Sequence, residues 1–153
     1  EETLADGAAT VAALSAAVTA MDDEEVTATG RYLFITPTLL QGINDMDTTK
    51  SKKVLEGFEQ VIKVPQRRFY TAIKQLSGEE AGGYTKAAGA ANINFAIVQK
   101  DALIQYTKHA APKIIAPENN PDADAYVFGY RMVGIAKAYK NMLSGMYFSH
   151  DKA

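Results

Sequence analysis

The chain of 153 residues contains no cysteine and only two histidines, His109 and His150. The absence of cysteine excludes disulfide bonds, thiolate nucleophiles and cysteine-ligated zinc. A histidine metal site or a serine–histidine–aspartate triad would have to use one of two residues that lie far apart in the sequence. His109 falls at the end of a predicted helix, where a protonated side chain favours the helix dipole. His150 is expected to be exposed.

Long apolar runs are also missing. The longest, such as Ala8–Leu14, are alanine-rich and too short to span a bilayer. The chain opens with Glu1 and Glu2, whereas a secretory signal needs positive charge there. We therefore expect no membrane segment and no leader. Because the first residue is not methionine, we expect the chain to be part of a longer protein.

The sequence lacks the short motifs that mark common catalytic and ligand sites. There is no glycine-rich loop ending in Gly-Lys-Ser/Thr, no Gly-x-Ser-x-Gly and no His-Glu-x-x-His. Asn120, Asp122 and Asp124 have the spacing that opens a calcium loop, but no glycine follows at the sixth position and no glutamate at the twelfth. That segment is predicted to be a turn. We predict no catalytic residue, no cofactor and no metal, and hence that the chain is not an enzyme.

Charge is present but unevenly distributed. The net charge is −2, which argues against nucleic-acid binding by the chain as a whole. Residues 1–25 hold seven acids and no base, and residues 50–74 hold seven bases and two acids, so that these segments carry −7 and +5. Either these are solvated faces, or an acidic patch on one subunit meets a basic patch on its neighbour. The residues that bear on the second interpretation are Asp22, Asp23 and Glu24 on the acidic side, and Lys52, Lys53, Arg67 and Arg68 on the basic side.

Arg67 and Arg68 also stand beside Phe69 and Tyr70. Bases next to aromatic residues are typical of single-stranded nucleic-acid surfaces. We favour a subunit contact or a solvated surface for this pair.

Hydrophobic periodicity predicts an α+β fold, a mixed β-sheet with helices packed on it. The first half predicts a helix over Thr3–Met21, with Thr3 and Asp6 as its cap, and a stop near Asp22. The remaining predicted elements are a strand at Arg31–Ile35, a helix from Pro37 to Ile43, a strand at Gln60–Val64, a loop over Ser77–Asn92, a strand at Ile93–Val98, a helix over Asp101–His109, a strand at Lys113–Ala116, a turn at Glu118–Asp124, a long β-like run at Tyr126–Ile135 with bulges or bends at Gly129 and Gly134, and a returning strand at Gly145–His150.

Several short segments form a characteristic series along most of the chain. In order they are Gly30–Pro37, Val61–Pro65, Arg68–Ile73, Ala87–Phe95, Lys108–Ile114, Asp122–Ala125 with Tyr130 and Arg131, and Asn141–His150. Their order resembles that of tailed-phage major capsid proteins of the Hong Kong 97 fold, and Gly30–Pro37 is similar to that family's strand-to-helix step.

This resemblance implies a structural subunit of an icosahedral phage or prophage shell, corresponding to the C-terminal half of a family member. Residues 1–117 would form a lobe like the family's A domain, and residues 118–153 part of its P domain. Its partners would be copies of itself, with scaffolding or portal proteins and, indirectly, packaged DNA. Its location would be the virion, after the host cytoplasm. Some family members cross-link lysine to asparagine, for which Asn141 is a candidate by residue type only.

Two alternatives remain open from the sequence. One is an enzymatic or small-ligand-binding α/β domain with a polar pocket at the strand ends, where Asp101, Arg31 and Lys100 would be the available charged groups. The other is the shell protein of an encapsulin-like compartment or a tail protein, which genomic neighbours would distinguish from a capsid.

Overall fold

The computed structural model describes residues 1–79 and 82–152, and its class is α+β as predicted. A mixed four-stranded sheet in the order β2-β1-β5-β8 forms its centre. In the described residues the helices are α1 (Gly7–Asp23), α2 (Pro37–Asp45) and α3 (Thr49–Glu56), and the strands are β1 (Arg31–Ile35), β2 (Gln60–Lys63), β3 (Ile73–Gln75), β4 (Tyr84–Lys86), β5 (Ile93–Gln99), β6 (Leu103–Ile115), β7 (Val127–Ala138) and β8 (Met146–His150).

The hydrophobic core lies between the helices and one face of the sheet. β1 runs parallel to β2 and antiparallel to β5, and β5 is antiparallel to β8. Alternate residues of the two central strands, Leu33 and Ile35 of β1 and Phe95 and Ile97 of β5, are fully buried. Their partners across the layer are Val11, Leu14, Ala17 and Met21 of α1 and Leu40 and Ile43 of α2. The alternating burial in β1 is what a strand covered on one face requires.

The first helix begins later than the sequence predicted. Helix α1 starts at Gly7, and Asp6 is its N-cap, whose Oδ1 accepts a hydrogen bond from Ala9 N at 2.8 Å. The cap predicted at Thr3 is wrong, because the preceding residues run along the sheet edge instead. There Glu2 N donates to His150 O, and Asn94 Nδ2 donates to Glu2 O. The predicted end near Asp22 is confirmed to within one residue.

The step from β1 to α2 matches the prediction. Thr36 is the N-cap and Pro37 is the first helical residue. The N–H of a first helical residue makes no hydrogen bond within the helix, so proline, which lacks an N–H, costs no bond there. Helix α3 was not predicted. It begins with a reciprocal capping box, in which Ser51 N donates to the Thr48 side chain and Thr48 N donates to the Ser51 side chain.

The helix predicted over Asp101–His109 is wrong. Lys100–Ala102 forms a single 3-10 turn, and Leu103 begins a strand of 13 residues that absorbs the strand predicted at Lys113–Ala116. Pairing of β6 with β7 along its whole length outweighs the helical spacing of Ala102, Leu103 and Tyr106. His109 therefore lies in a strand and not at a helix end.

The predicted loop over Ser77–Asn92 contains a short strand, β4, which pairs with β3. Its residues Glu80 and Ala81 lie outside the described residues. The boundary between the two predicted lobes, after Pro117, falls in the turn between β6 and β7. Strand β8 was assigned to the second lobe, and it pairs with β5 in the central sheet.

Two glycines set the spacing between α1 and α2, and their substitutions should have opposite effects. An added Cβ at Gly7 would overlap the carbonyl group of Gly42, whereas one at Gly42 would lie 3.5 Å from Gly7 N, an ordinary contact. We expect Gly7→Ala to lower the free energy of unfolding by about 2 kcal/mol through overpacking. Gly42→Ala should leave it unchanged or raise it by up to ~1 kcal/mol through helix propensity. Urea unfolding of both variants measures this, and equal effects would contradict the close approach.

Candidate functional site

Strands β6 and β7 form a two-stranded antiparallel ribbon. All twelve residues of β7 are exposed, and so is β6 apart from Ala111 and Ile115, which are half-buried. At about 3.4 Å per residue the ribbon is some 40 Å long. A hairpin of this kind has little stability in water without a further layer against it. Its exposed apolar side chains therefore make it the principal candidate for a contact surface.

The register of the ribbon assigns its side chains to two faces, since residues paired across an antiparallel ribbon share a face. One face, the apolar face, has large uncharged residues on its outer half: Ile114, Phe128, Tyr130 and Met132, with Pro112 and Ala110. Phe128 is 75% exposed and Tyr130 70% exposed. Contacts between neighbours two residues apart agree with this assignment, because the Tyr126 and Phe128 rings stack and the Tyr130 hydroxyl lies 3.9 Å from Met132 Sδ.

On its inner half, the apolar face has small residues on β7 only. Gly134, Ala136 and Ala138 continue the face toward the base of the ribbon, paired with Thr107, Gln105 and Leu103 of β6. A bulge marks the change, because Thr107 pairs with Gly134 and His109 pairs with Val133, which leaves Lys108 without a partner. A bulge or bend was predicted at Gly134, and the bulge lies opposite it, in β6. A Cβ at Gly134 would lie only 3.3 Å from Tyr106 O.

Charge on the ribbon is separated by position. Its strands carry bases and no acid, and the turn between them carries acids and no base. The strand bases are Lys108, Lys113, Arg131 and Lys137, and the turn acids are Glu118, Asp122 and Asp124. Lys113, Arg131 and His109 lie on the face opposite the apolar one, so the apolar face is free of charge on its outer half.

The predicted acidic contact residues lie at the end of the sheet where the ribbon is attached. Asp22 accepts a hydrogen bond from Arg31 Nη2 at 2.6 Å within the same chain. Asp23 and Glu24 are exposed, and Glu24 Oε2 lies 3.4 Å from the Ser144 hydroxyl. Asn141 is also exposed here, in the 3-10 segment that leads into β8.

The predicted basic contact residues fall into two groups. Arg67 and Arg68 are exposed on a 3-10 turn after the end of β2, and hence at the opposite end of the sheet from Asp23 and Glu24. Lys52 and Lys53 lie on α3. Lys52 Nζ is 2.6 Å from Asp47 Oδ1, an exposed pair of small energetic weight. Lys53 borders a groove of about 550 Å³ between α1 and α3, whose walls include Val18 and Val54.

The sheet face that turns away from the helices is a second apolar surface. Paired residues Ile62, Phe34, Ala96 and Phe148 form a row across it. Phe148 is 51% exposed, and Phe34 and Ile62 are half-buried. Tyr32 lies on this face too, and its hydroxyl donates to Glu59 Oε1 at 2.9 Å. That hydrogen bond, with some desolvation and the nearby negative charge, raises the pKa of Tyr32 above its ordinary value.

The charged residues named for a ligand-binding alternative do not gather at a pocket. The carboxyl ends of β1 and β2 border a cavity of about 580 Å³ that includes Thr36, Gln66 and Asp151. Arg31, Lys100 and Asp101 lie at the other end of the sheet. Arg31 is buried and bonded to Asp22 and to the carbonyl groups of Val26 and Thr27.

The turn Asn119–Asp124 is held by its own side chain, since Asn120 Nδ2 donates to Ala125 O and Asp122 N donates to Asn120 Oδ1. Across residues 1–79 and 82–152, no three histidine, aspartate or glutamate side chains cluster as metal ligands would. No helix in these ranges is long and apolar enough to cross a bilayer.

The ribbon's apolar face was missed at the sequence level, although its signal is present. In β7 the large residues Phe128, Tyr130 and Met132 alternate with Gly129 and Arg131, which is the period of a strand with one apolar face. The register supplied by β6 is needed to see that Pro112 and Ile114 complete that face. Comparison of the chain with protein-family models, with curated proteins and with solved structures finds no match.

Proposed function

We propose that the chain is a structural subunit of an icosahedral phage or prophage capsid of the Hong Kong 97 fold, and that its surfaces act in contacts between copies. It would then work in the virion after assembly in the host cytoplasm. Scaffolding and portal proteins would be further partners, and packaged DNA an indirect one. The observation that carries this proposal is the ribbon, an extended apolar element whose stability calls for a neighbour.

The positions of the charges support head-to-tail contact between copies. Asp23 and Glu24 lie at one end of the central sheet, and Arg67 and Arg68 at the other. Complementary patches at opposite ends of a molecule join one copy to the next in the same direction, which closes into rings when the rotation permits. Rings of this kind are the units from which a shell would be built.

The resemblance in sequence also supports the proposal at one local point. Gly30–Pro37, the segment similar to the family's strand-to-helix step, forms β1 and the first residue of α2, with Gly30 in a left-handed conformation at φ 78°.

A charge-reversal series in the complete open reading frame that encodes the chain tests this function. Closed shells, counted by electron microscopy and sedimentation, are expected from the unmodified protein. Arg67→Glu with Arg68→Glu should abolish them, and so should Asp23→Lys with Glu24→Lys, because each places like charges across the contact. All four changes in one chain should restore shells. Failure of the unmodified protein to assemble, with scaffold supplied, would overturn the capsid function.

A further inference from the structure

We propose that two copies of the chain pair through the apolar faces of their β6–β7 ribbons, antiparallel and related by a twofold axis near Tyr130. This rests on the proposed function and deepens it by naming a self-contact and its register. Three properties of a single ribbon, its apolar face, the sizes of the residues along it and the separation of its charges, lead to the same arrangement.

The first property is that only one face can be buried without burying charge. The outer half of the apolar face presents Phe128, Tyr130, Met132 and Ile114. The opposite face carries Lys113, Arg131 and His109 at the same level. Burying unpaired bases is unfavourable, so a partner layer belongs on the apolar face.

The second property is complementarity of size along the strand. Large residues occupy β7 from Phe128 to Met132, and small ones follow at Gly134, Ala136 and Ala138. Antiparallel pairing about Tyr130 places Phe128 of one copy over Met132 of the other. It also places Tyr126 over Gly134, since both lie four residues, or about 14 Å, from Tyr130. Tyr126 of each copy thus meets a position without a side chain on its partner, and the large residues nearer the axis pack on one another.

The third property is complementarity of charge. Continuing in the same register, the acidic turn of one copy, with Asp122 and Asp124, reaches the inner half of the partner's ribbon. Lys108, unpaired at the bulge, lies there, whereas Lys137 lies at the same end on the opposite face. Each pair of ribbons makes this contact twice, as a twofold contact requires. Parallel pairing would instead set acids against acids, which selects the antiparallel arrangement.

The decisive experiment measures the association of the chain by sedimentation equilibrium. The unmodified chain should dimerise, and Tyr130→Glu should weaken the dimer by about thirtyfold or more, as loss of a central aromatic contact does. Val133→Glu is the matched control, because Val133 lies three residues along the same strand on the opposite face and should leave dimerisation within about threefold. Far-UV circular dichroism verifies that the central sheet and its helices remain folded in each variant. A monomeric unmodified chain, or equal effects of the two variants, would overturn the pairing.

Charge reversal tests the antiparallel register separately. Asp122→Lys with Asp124→Lys should weaken the dimer by about tenfold, and Lys108→Glu should weaken it as well. An equimolar mixture of these two variants should recover affinity as a heterodimer. If mixing restores nothing, the register is wrong.

Because the chain has no cysteine, an introduced thiol provides a unique reporter. Pro112→Cys, at the position paired with Tyr130 on the same face, should be joined to its counterpart by a short bismaleimide, since packed sheets lie about 10 Å apart. Val133→Cys should not be joined. Shells that form unchanged in the Tyr130→Glu variant would overturn the ribbon pairing and leave the capsid function standing. If the unmodified chain forms dimers but no shells, the capsid function would be overturned and the ribbon pairing would stand.

Discussion

Phe95→Ala should lower the free energy of unfolding by about 4 kcal/mol, a large effect for a single substitution in a domain of this size. Phe95 is fully buried in β5, one of the two central strands, whose seven residues are all buried. Its ring stacks on Tyr147 at 6.2 Å between centroids and belongs to the same cluster as Leu14 and Leu33. Truncation would leave a cavity between helix and sheet that these neighbours fill only in part. Urea unfolding, followed by circular dichroism, measures the change as a shift in the urea concentration at the unfolding midpoint, with the dependence of the free energy on urea unchanged.

Phe148→Ala is the control of the same residue type. Phe148 lies one strand away on the sheet face that turns from the helices, and it is 51% exposed. We expect it to lower the free energy of unfolding by less than ~1 kcal/mol. If both substitutions lowered the free energy of unfolding equally, the helices would not cover one face of the sheet and leave the other open as described. If Phe148→Ala reduces assembly while leaving unfolding unchanged, the open sheet face is itself part of a subunit contact.

Most of the central sheet and its helices could be predicted from the sequence, because the residue patterns that indicate these elements are local. Arg31–Ile35 is a run of β-formers that ends at an N-cap and a proline, and Ile93–Val98 is apolar except for Asn94, so β1, α2 and β5 appear where they were expected. Helix α3 was missed because its apolar positions are few. It depends on the Thr48–Ser51 capping box and on packing of Val54 and Leu55 against the core.

The ribbon could not be predicted as a unit, because its stability depends on pairing between residues far apart. Ala102, Leu103 and Tyr106 fit a helical spacing, and only the partner strand decides against it. The same limit applies to the connection at the end of the chain. Met146–His150 reads as a strand, but nothing local shows that it pairs with β5 and not with the strand before it. For the contact surfaces, residue type identified the charged patches, whereas their positions at opposite ends of the sheet follow from topology.

Asp22→Ala should lower the free energy of unfolding by about 2 kcal/mol, although Asp22 itself is largely exposed. Its partner Arg31 is the reason, since that side chain is only 3% exposed. The Arg31 guanidinium connects the end of α1 to the following loop through Asp22, Val26 O and Thr27 O. Removing the carboxylate leaves a buried positive charge with carbonyl groups alone to balance it.

Asp23→Ala is the matched control, one residue further along the same helix end. Asp23 makes no hydrogen bond or ion pair with another side chain among the described residues. Asp23→Ala should therefore change the free energy of unfolding by no more than about 0.5 kcal/mol. The substitution also removes a negative charge from the C-terminal end of the helix, where the helix dipole disfavours it. Both variants are compared by urea unfolding at several protein concentrations. A loss for Asp22→Ala that is independent of concentration assigns Asp22 to the fold of its own chain, whereas a loss that appears only where the protein associates would return it to the subunit contact that the sequence suggested.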